Sequence, residues 1–398
     1  MTDVAEFEVI EQEDMQADLR SVFRGAVKLA LEDVLEEVVR ELVGGARWAR
    51  LGKERKDVRN GTYLRRLLTS LGHIEVSVPR TRNSGSAADV IGRYQRRTDE
   101  IDDAITTAYV QGVSTRKMGE VTKSLMGSEV SRSTVSRVTK KLQANVDQLA
   151  KAPIETEIAY LYLDATFLDA RWARRVENVS ALVAYGVDRE GGKRQLLGIT
   201  IGAQESEDSW SDLLRQLLDR GLRGVRLVIA DDHKGLAAAV RTHLPEAEQQ
   251  RCIVHLQRNV LKNVPHRLRK RLAREVSDVF KATSLKDARK RLAALERRFG
   301  KQVPEAIECL KNGFPAATRY FSFPKAHWLR VRSTNGLERL HGEIKRRIRA
   351  VGAFPDRASA LRLITAVALH ATSTWNARRY LDMTLLEETE TQEMSQAA

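Results

Sequence analysis

The order of patterns along the chain predicts a multidomain protein, helical in its first part and α/β thereafter, with a mixed open sheet interrupted by an all-helical insertion. Three observations carry this. Helical periodicity dominates residues 15–43 and 100–149, strand and helix patterns follow one another as β-β-β-α-β-α-β from 158 to 254, and residues 256–330 hold helical, basic stretches with no strand pattern.

Taken in order, Leu19, Val22, Phe23, Val27, Ala30, Leu31, Val34, Leu35, Val38, Val39 and Leu42 recur at three- and four-residue steps until Gly44-Gly45 stops the helix. A polar, basic stretch occupies 47–66. His73-Ile-Glu-Val-Ser-Val-Pro79 then alternates apolar and polar residues as a short strand, and Ser84-Gly-Ser-Ala-Ala reads as a linker. Within 100–149, two short helices break at Gly127-Ser128. The second buries Val135, Val138 and Leu142 and leaves Arg132, Ser133, Ser136, Arg137 and Lys140 outside, the layout of a helix-turn-helix recognition helix.

Beyond Pro153, strands are expected at 158–164, 176–187 and 194–201, the last two joined across Asp188-Arg-Glu-Gly-Gly-Lys193 as a hairpin. A helix follows on Trp210, Leu213, Leu214, Leu217 and Leu218, then a buried strand at 225–230, a helix from Lys234 and a short strand at 251–254. This is the strand and helix order of a ribonuclease-H-like fold. Pro265, Pro304, Pro315 and Pro324 punctuate the helical stretch that comes next, and helices at 335–349 and 357–375 flank Gly352-Ala-Phe-Pro355. The domains are therefore a helical and short-strand DNA-binding region at 1–98, a helix-turn-helix region at 99–152, the first part of the α/β core at 153–255, a basic insertion at 256–330, the final core helices at 331–382 and an acidic flexible tail at 383–398.

The chain has 398 residues, and 67 Lys and Arg against 53 Asp and Glu give a formal charge of +14. The charge is segregated: residues 258–301 carry 15 bases and four acids, whereas Glu387, Glu388, Glu390 and Glu393 follow Leu386 with no base. A polyanionic partner fits this distribution. Two cysteines make no disulfide framework, no apolar run approaches a membrane span, and the acidic start is unlike a signal peptide, so a cytoplasmic protein with no membrane partner is expected.

Asp164 and Asp231 each follow an apolar strand pattern, Tyr160-Leu-Tyr-Leu and Leu227-Val-Ile-Ala, which sets both at the carboxyl edge of an open sheet where ligands bind. Paired carboxylates repel one another and are commonly reconciled by a divalent metal. On the helix from Asn335, Glu338 shares a face with Gly342, Lys345 and Arg349, away from the Leu337, Leu340, Ile344 and Ile348 stripe, while Glu343 points about 140° away. Two strand-end acids and a helix acid suit two-metal phosphoryl transfer. Against this stand plainer readings: strand-end aspartates often cap turns, Asn335 and Glu338 fit a capping box, and Asp169, Asp188 and Asp232 compete for the same roles. Cys252-Ile-Val-His255 has a zinc-like spacing without the second pair that a structural site needs.

Read together, Arg59-Asn-Gly-Thr-Tyr63, Val78-Pro-Arg-Thr-Arg82, Leu163-Asp-Ala-Thr166, Ala230-Asp-Asp-His-Lys-Gly-Leu236, Arg251-Cys-Ile-Val-His255, Ser333-Thr-Asn-Gly-Leu-Glu-Arg339 and Phe354-Pro355 resemble the mutator-type family of bacterial insertion-sequence transposases. The resemblance implies a DDE triad of Asp164, Asp231 and Glu338 holding two Mg2+ or Mn2+ ions, with Lys345 a basic residue on the third acid's helix. Asp232 departs from the small residue expected beside Asp231. His233, Cys252, His255 and Asn335 are expected as active-site support, and Arg132, Arg137, Lys345 and Arg349 as DNA contacts. The implied activity is binding of terminal inverted repeats, strand cleavage and transfer to target double-stranded DNA, by a homo-oligomer of at least two copies, cytoplasmic in a bacterium and at the nucleoid when bound to DNA. A nuclease of the same fold without joining activity, or an inert DNA-binding regulator, are the alternatives.

Overall fold

The computed structural model describes residues 3–49, 55–83, 87, 92, 95–172, 175–262 and 264–397. It divides into two compact units, Met1–Thr139 and Lys140–Ala398.

The first unit opens with α1 (Asp3–Val43), followed by the antiparallel hairpin β1 (Arg59–Thr69) and β2 (Gly72–Thr81). Leu35, Val39 and Val43 of α1 bury against Leu67, Ile74, Val76 and Val78 of the hairpin, while Leu19, Val22 and Phe23, from the upstream part of the same sequence stripe, stay exposed. β1 lies in the stretch read as merely polar and basic. Only its last three residues are buried, so its first part shows no apolar alternation to find. The expected linker at 84–88 lies outside the described residues, save Ala87, which joins this core.

Three helices complete the unit: α2 (Asp99–Val110), α3 (Met118–Met126) and α4 (Arg132–Val138), each packed on the other two. The break falls at Gly127, in the left-handed region at φ +66°. Ser131 then caps α4, its hydroxyl accepting from the Thr134 amide at 3.3 Å. Val135 and Val138 are buried and Arg132, Ser133, Ser136 and Arg137 exposed, so the helix pair has the apolar and basic sides expected of it.

The second unit begins with α5 (Gln143–Lys151) and continues through β3 (Ile158–Trp172), β4 (Arg175–Asp188), β5 (Arg194–Gly202), α6 (Glu207–Asp219), β6 (Leu227–Ala230), α7 (Lys234–His243) and β7 (Glu248–Arg251). One mixed sheet results, in the order β5-β4-β3-β6-β7, antiparallel from β5 to β3 and parallel from β3 to β7. Leu161, Leu163, Val228 and Ala230 pack one face onto Trp210, Leu213 and Leu217 of α6 and Leu236 and Val240 of α7. The alternate residues Tyr160 and Tyr162 belong to the other face, where the Tyr162 ring stacks on Tyr185 at 4.4 Å.

Helices alone fill the stretch after β7: α8 (Ile253–Leu261), α9 (His266–Val279), α10 (Leu285–Phe299), α11 (Pro304–Ala317) and α12 (Trp328–Val331). Pro315 does not punctuate this region but lies inside α11, near its end, where a missing amide interrupts only the final turn. α13 (Asn335–Val351) and α14 (Arg357–Thr372) then return to the sheet and pack on β3. The segment read as a flexible acidic tail carries α15 (Thr384–Ala397), whose Glu390 pairs with Arg189 and, at 2.8 Å, with Arg226, and whose Leu386 is buried. Among the described residues no helix is long and apolar enough to cross a membrane.

Candidate active site

Asp164 does not end its strand, contrary to the sequence expectation. β3 runs on to Trp172 because β4 stays paired with it throughout, whereas the parallel partner β6 pairs only as far as Tyr162 with Ile229. Asp164 therefore sits where β3 outruns β6, and continuing that register by two residues sets it level with Asp231. Strand alternation puts both on the face opposite Leu163 and Ala230. Asp164 is buried, its Oδ1 accepting from the Ala165 amide at 3.0 Å. Asp231 Oδ1 accepts from the Asp232 amide at 2.6 Å, while Asp232 turns away and pairs with Arg251 at 2.7 Å.

α13 brings the third acid. Leu337, Leu340 and Ile344 are its buried stripe as expected, Ile348 is only half-buried, and His341 adds a buried imidazole whose Nδ1 lies 3.4 Å from Asp164 Oδ2. Thr334, not Asn335, is the residue before the first turn, and no side chain caps this helix. Glu338 makes no capping box: Arg258 of α8 donates to its Oε1 at 2.7 Å. Glu343, on another flank, pairs with Arg346 at 2.8 Å.

The start of α13 is tied to the sheet through Cys252. The Cys252 amide donates to the carbonyl of Ala230, the last residue of β6, at 2.7 Å, and its buried sulfur accepts from the Thr334 amide and hydroxyl, both at 3.4 Å. Burial opposes a thiolate here, but hydrogen bonds from His255 and Thr334 outweigh it and hold the thiol below its ordinary range. His255 is pushed up to about 9, first by its bond to Cys252 and further by the negative charges of Asp231 and Asp164. An imidazolium beside a thiolate follows at neutral pH.

Hard carboxylate oxygens suit Mg2+ or Mn2+. The Thr166 hydroxyl, on the same side of β3 as Asp164, and His341 Nε2 are both buried without a hydrogen-bond partner, polar atoms that a hydrated ion would satisfy. Among the described residues no three His, Cys, Asp or Glu side chains converge as a ready-made cluster. The Asp164 and Asp231 pair thus fits a divalent ion, and Glu338 joins it only by leaving Arg258.

A family profile described as "Transposase, Mutator family" matches residues 1–378. The chain belongs to the Mutator family of transposases. It is 36% identical over 87% of its length to the transposase for insertion sequence element ISRM5 of Rhizobium meliloti, again 87% of that protein. It is 36% identical over 83% to the IS406 transposase of Burkholderia multivorans, covering 86% of it, and 35% identical over 83% to the Staphylococcus aureus IS256 transposase of transposon Tn4001, covering 85%. A solved structure, the Drosophila P element transposase strand transfer complex, aligns over 72% of this chain and 83% of its own at 13% identity and a TM-score of 0.32, too low to define a shared fold.

In this transposase Lys345 and Arg349 are exposed along the Glu338 side of α13, His233 precedes the first turn of α7, and Asn335 is exposed. The sequence reading missed four groups that touch these residues: Arg251, Arg258, His341 and Glu205, whose Oε1 lies 3.7 Å from His233 Nδ1. His341 alone carried a signal, being one turn beyond Glu338 on the same helix. Cys252→Ser is expected to lower the His255 pKa from about 9 toward an ordinary histidine value, because its first cause is the bond to that sulfur. Titration of the His255 ring protons by NMR measures it, and an unchanged value would mean that the carboxylates alone set the charge.

Proposed function

We propose that this transposase binds the terminal inverted repeats of a mobile element, cuts a strand at each end and joins the freed 3′ hydroxyl to target DNA, at a site built on Asp164, Asp231 and Glu338. The observation that carries the reading is the matched level and common face of Asp164 and Asp231, with Glu338 on a helix whose His341 lies against Asp164. The strand order β5-β4-β3-β6-β7, with a helical stretch before the helix bearing the third acid, supports a ribonuclease-H-like core. Two Mg2+ or Mn2+ ions, when bound, supply Lewis-acid stabilisation of the attacking and leaving oxygens.

The chain's own residues do the positioning. The Ala165 amide and His341 fix the Asp164 carboxylate, and the Asp232 amide fixes that of Asp231. Pairing of Asp232 with Arg251 favours Asp231 as the acid of the site. Glu338 exchanges Arg258 for the ion, which frees a guanidinium beside the scissile phosphate. Lys345 and Arg349 continue the basic side of α13 along the strand, and α9 and α10 supply further backbone contacts. Bringing two ends together requires at least two copies of the chain.

The test is incubation with Mg2+ and a duplex carrying the element's inverted repeats, followed by analysis of cut ends and joined products. Both are expected, and cutting without joining would favour a nuclease instead. A second expected outcome concerns α4. Replacing Arg132 and Arg137 with Ala should cost roughly 1–3 kcal/mol per lost base contact and erase the preference for inverted-repeat over random DNA. Competition binding at fixed salt reads this, and a preserved preference would assign recognition to residues 1–98.

A further inference from the structure

Glu205 belongs to no motif, yet the topology delivers it to the carboxylates. β5 is antiparallel to β4, so it runs in the same direction as β3 and β6. Each of these three strands brings an acid to one edge: Asp164 where β3 outruns β6, Asp231 just after Ala230, and Glu205 shortly after β5 ends at Gly202.

The side chain is held rather than free. Glu205 is 16% exposed, its Oε1 accepts from Trp210 Nε1 at 3.3 Å, and His233 Nδ1 lies 3.7 Å away. Trp210 is wholly buried in the sheet's main core, so the donor that orients Glu205 is itself rigid. The two loops also meet through backbone: a Cβ on Gly235 would lie 2.6 Å from the Glu207 amide nitrogen, so only glycine lets the start of α7 approach the start of α6 this closely. The charges of Asp164 and Asp231 add to burial in holding the Glu205 carboxyl above its usual range, against the pull of His233 and Trp210. Mutual repulsion of this kind is what a cation relieves. The Thr166 hydroxyl, buried and without a partner on the Asp164 side of β3, is an independent sign of an unfilled polar position there.

We infer that Glu205 is a fourth acidic residue of the active site, which shares a divalent cation with Asp164 and Asp231. The inference rests on the reading of those two residues as the ones that hold the ion. It explains why an acid, a tryptophan indole and a histidine meet beside the aspartates, and it accounts for Gly235 in the Asp231 to Leu236 motif.

Terbium binding to the full chain tests it, since Tb3+ at Glu205 would be excited through the adjoining Trp210 indole. Wild type should give sensitised emission that Mg2+ displaces. Glu205→Gln should weaken Tb3+ binding about tenfold or more, whereas Glu205→Asp, which keeps the charge, should retain most of it. Trp210→Phe should quench the emission while calorimetry still detects the ion. Melting temperatures identify any variant that fails to fold, and Glu205→Asp then decides. Wild-type affinity in Glu205→Gln, with binding lost in Asp164→Asn and Asp231→Asn, would overturn the role of Glu205 and leave the aspartates standing. Unchanged binding in all three would overturn both, and emission persisting in Trp210→Phe would put the ion elsewhere.

Discussion

Asp164→Asn, Asp231→Asn and Glu338→Gln are each expected to lose end cleavage and strand transfer together, by about 10³-fold or more, equivalent to roughly 4 kcal/mol of transition-state stabilisation. Folding should survive in Glu338→Gln, because its pair with Arg258 is largely exposed and worth no more than about 1 kcal/mol. Two neighbours on the same elements serve as controls. Asp232→Asn forfeits only the pair with Arg251, and Glu343→Gln only the pairs with Arg346 and Arg347, so both should remain active. End cleavage and joining in Mg2+, beside melting temperature and inverted-repeat binding, measure all five. An active Glu338→Gln protein, or an inactive but folded Glu343→Gln protein, would move the third acid to Glu343.

The second large effect is expected at Gly336. A Cβ there would stand 2.4 Å from the Tyr185 hydroxyl, and the tyrosine ring cannot retreat because it stacks on Tyr162 and meets Trp375 edge-on. Gly336→Ala must therefore lift the first turn of α13 from the sheet, at a cost of about 1–3 kcal/mol, and carry Glu338 away from Asp164. Loss of stability and loss of cleavage should appear together. Tyr185→Phe alone should be close to neutral or stabilising, because its buried hydroxyl has no hydrogen-bond partner. Combining the two should restore part of both losses, since the alanine methyl would then face only the ring carbon at 3.3 Å. A double variant no better than Gly336→Ala would show that the clash lies elsewhere.

Much of this arrangement was legible in sequence where local periodicity and burial agree. The α6 stripe of Trp210, Leu213, Leu214 and Leu217 and the four-residue strand Leu227–Ala230 follow from residues whose environment is uniform along the element. The extension of β3 beyond Asp164 was not legible, because pairing with β4, a tertiary event, sustains the strand through Phe167 and Asp169. Likewise Arg258 with Glu338, His341 with Asp164 and Glu205 with His233 are contacts between residues distant in the chain or on faces that periodicity treats as solvent. α15 was missed for a related reason: an acidic composition suggests solvation, whereas Glu390 is drawn to Arg189 and Arg226.

The helical stretch between β7 and α13 also sets a timetable for synthesis. Every strand of the sheet, with Asp164 and Asp231 at its edge, leaves the ribosome before α8 begins, whereas Glu338 emerges only after α8 to α12 have followed. A nascent chain can therefore assemble a sheet that carries two acids but no third. Cys252 waits at the end of that sheet for Thr334, so the sulfur that secures α13 is in place before the helix exists. DNA met by such an unfinished chain would find a groove without its last carboxylate, and a message truncated before α13 would yield a protein unable to cut the genome that encodes it.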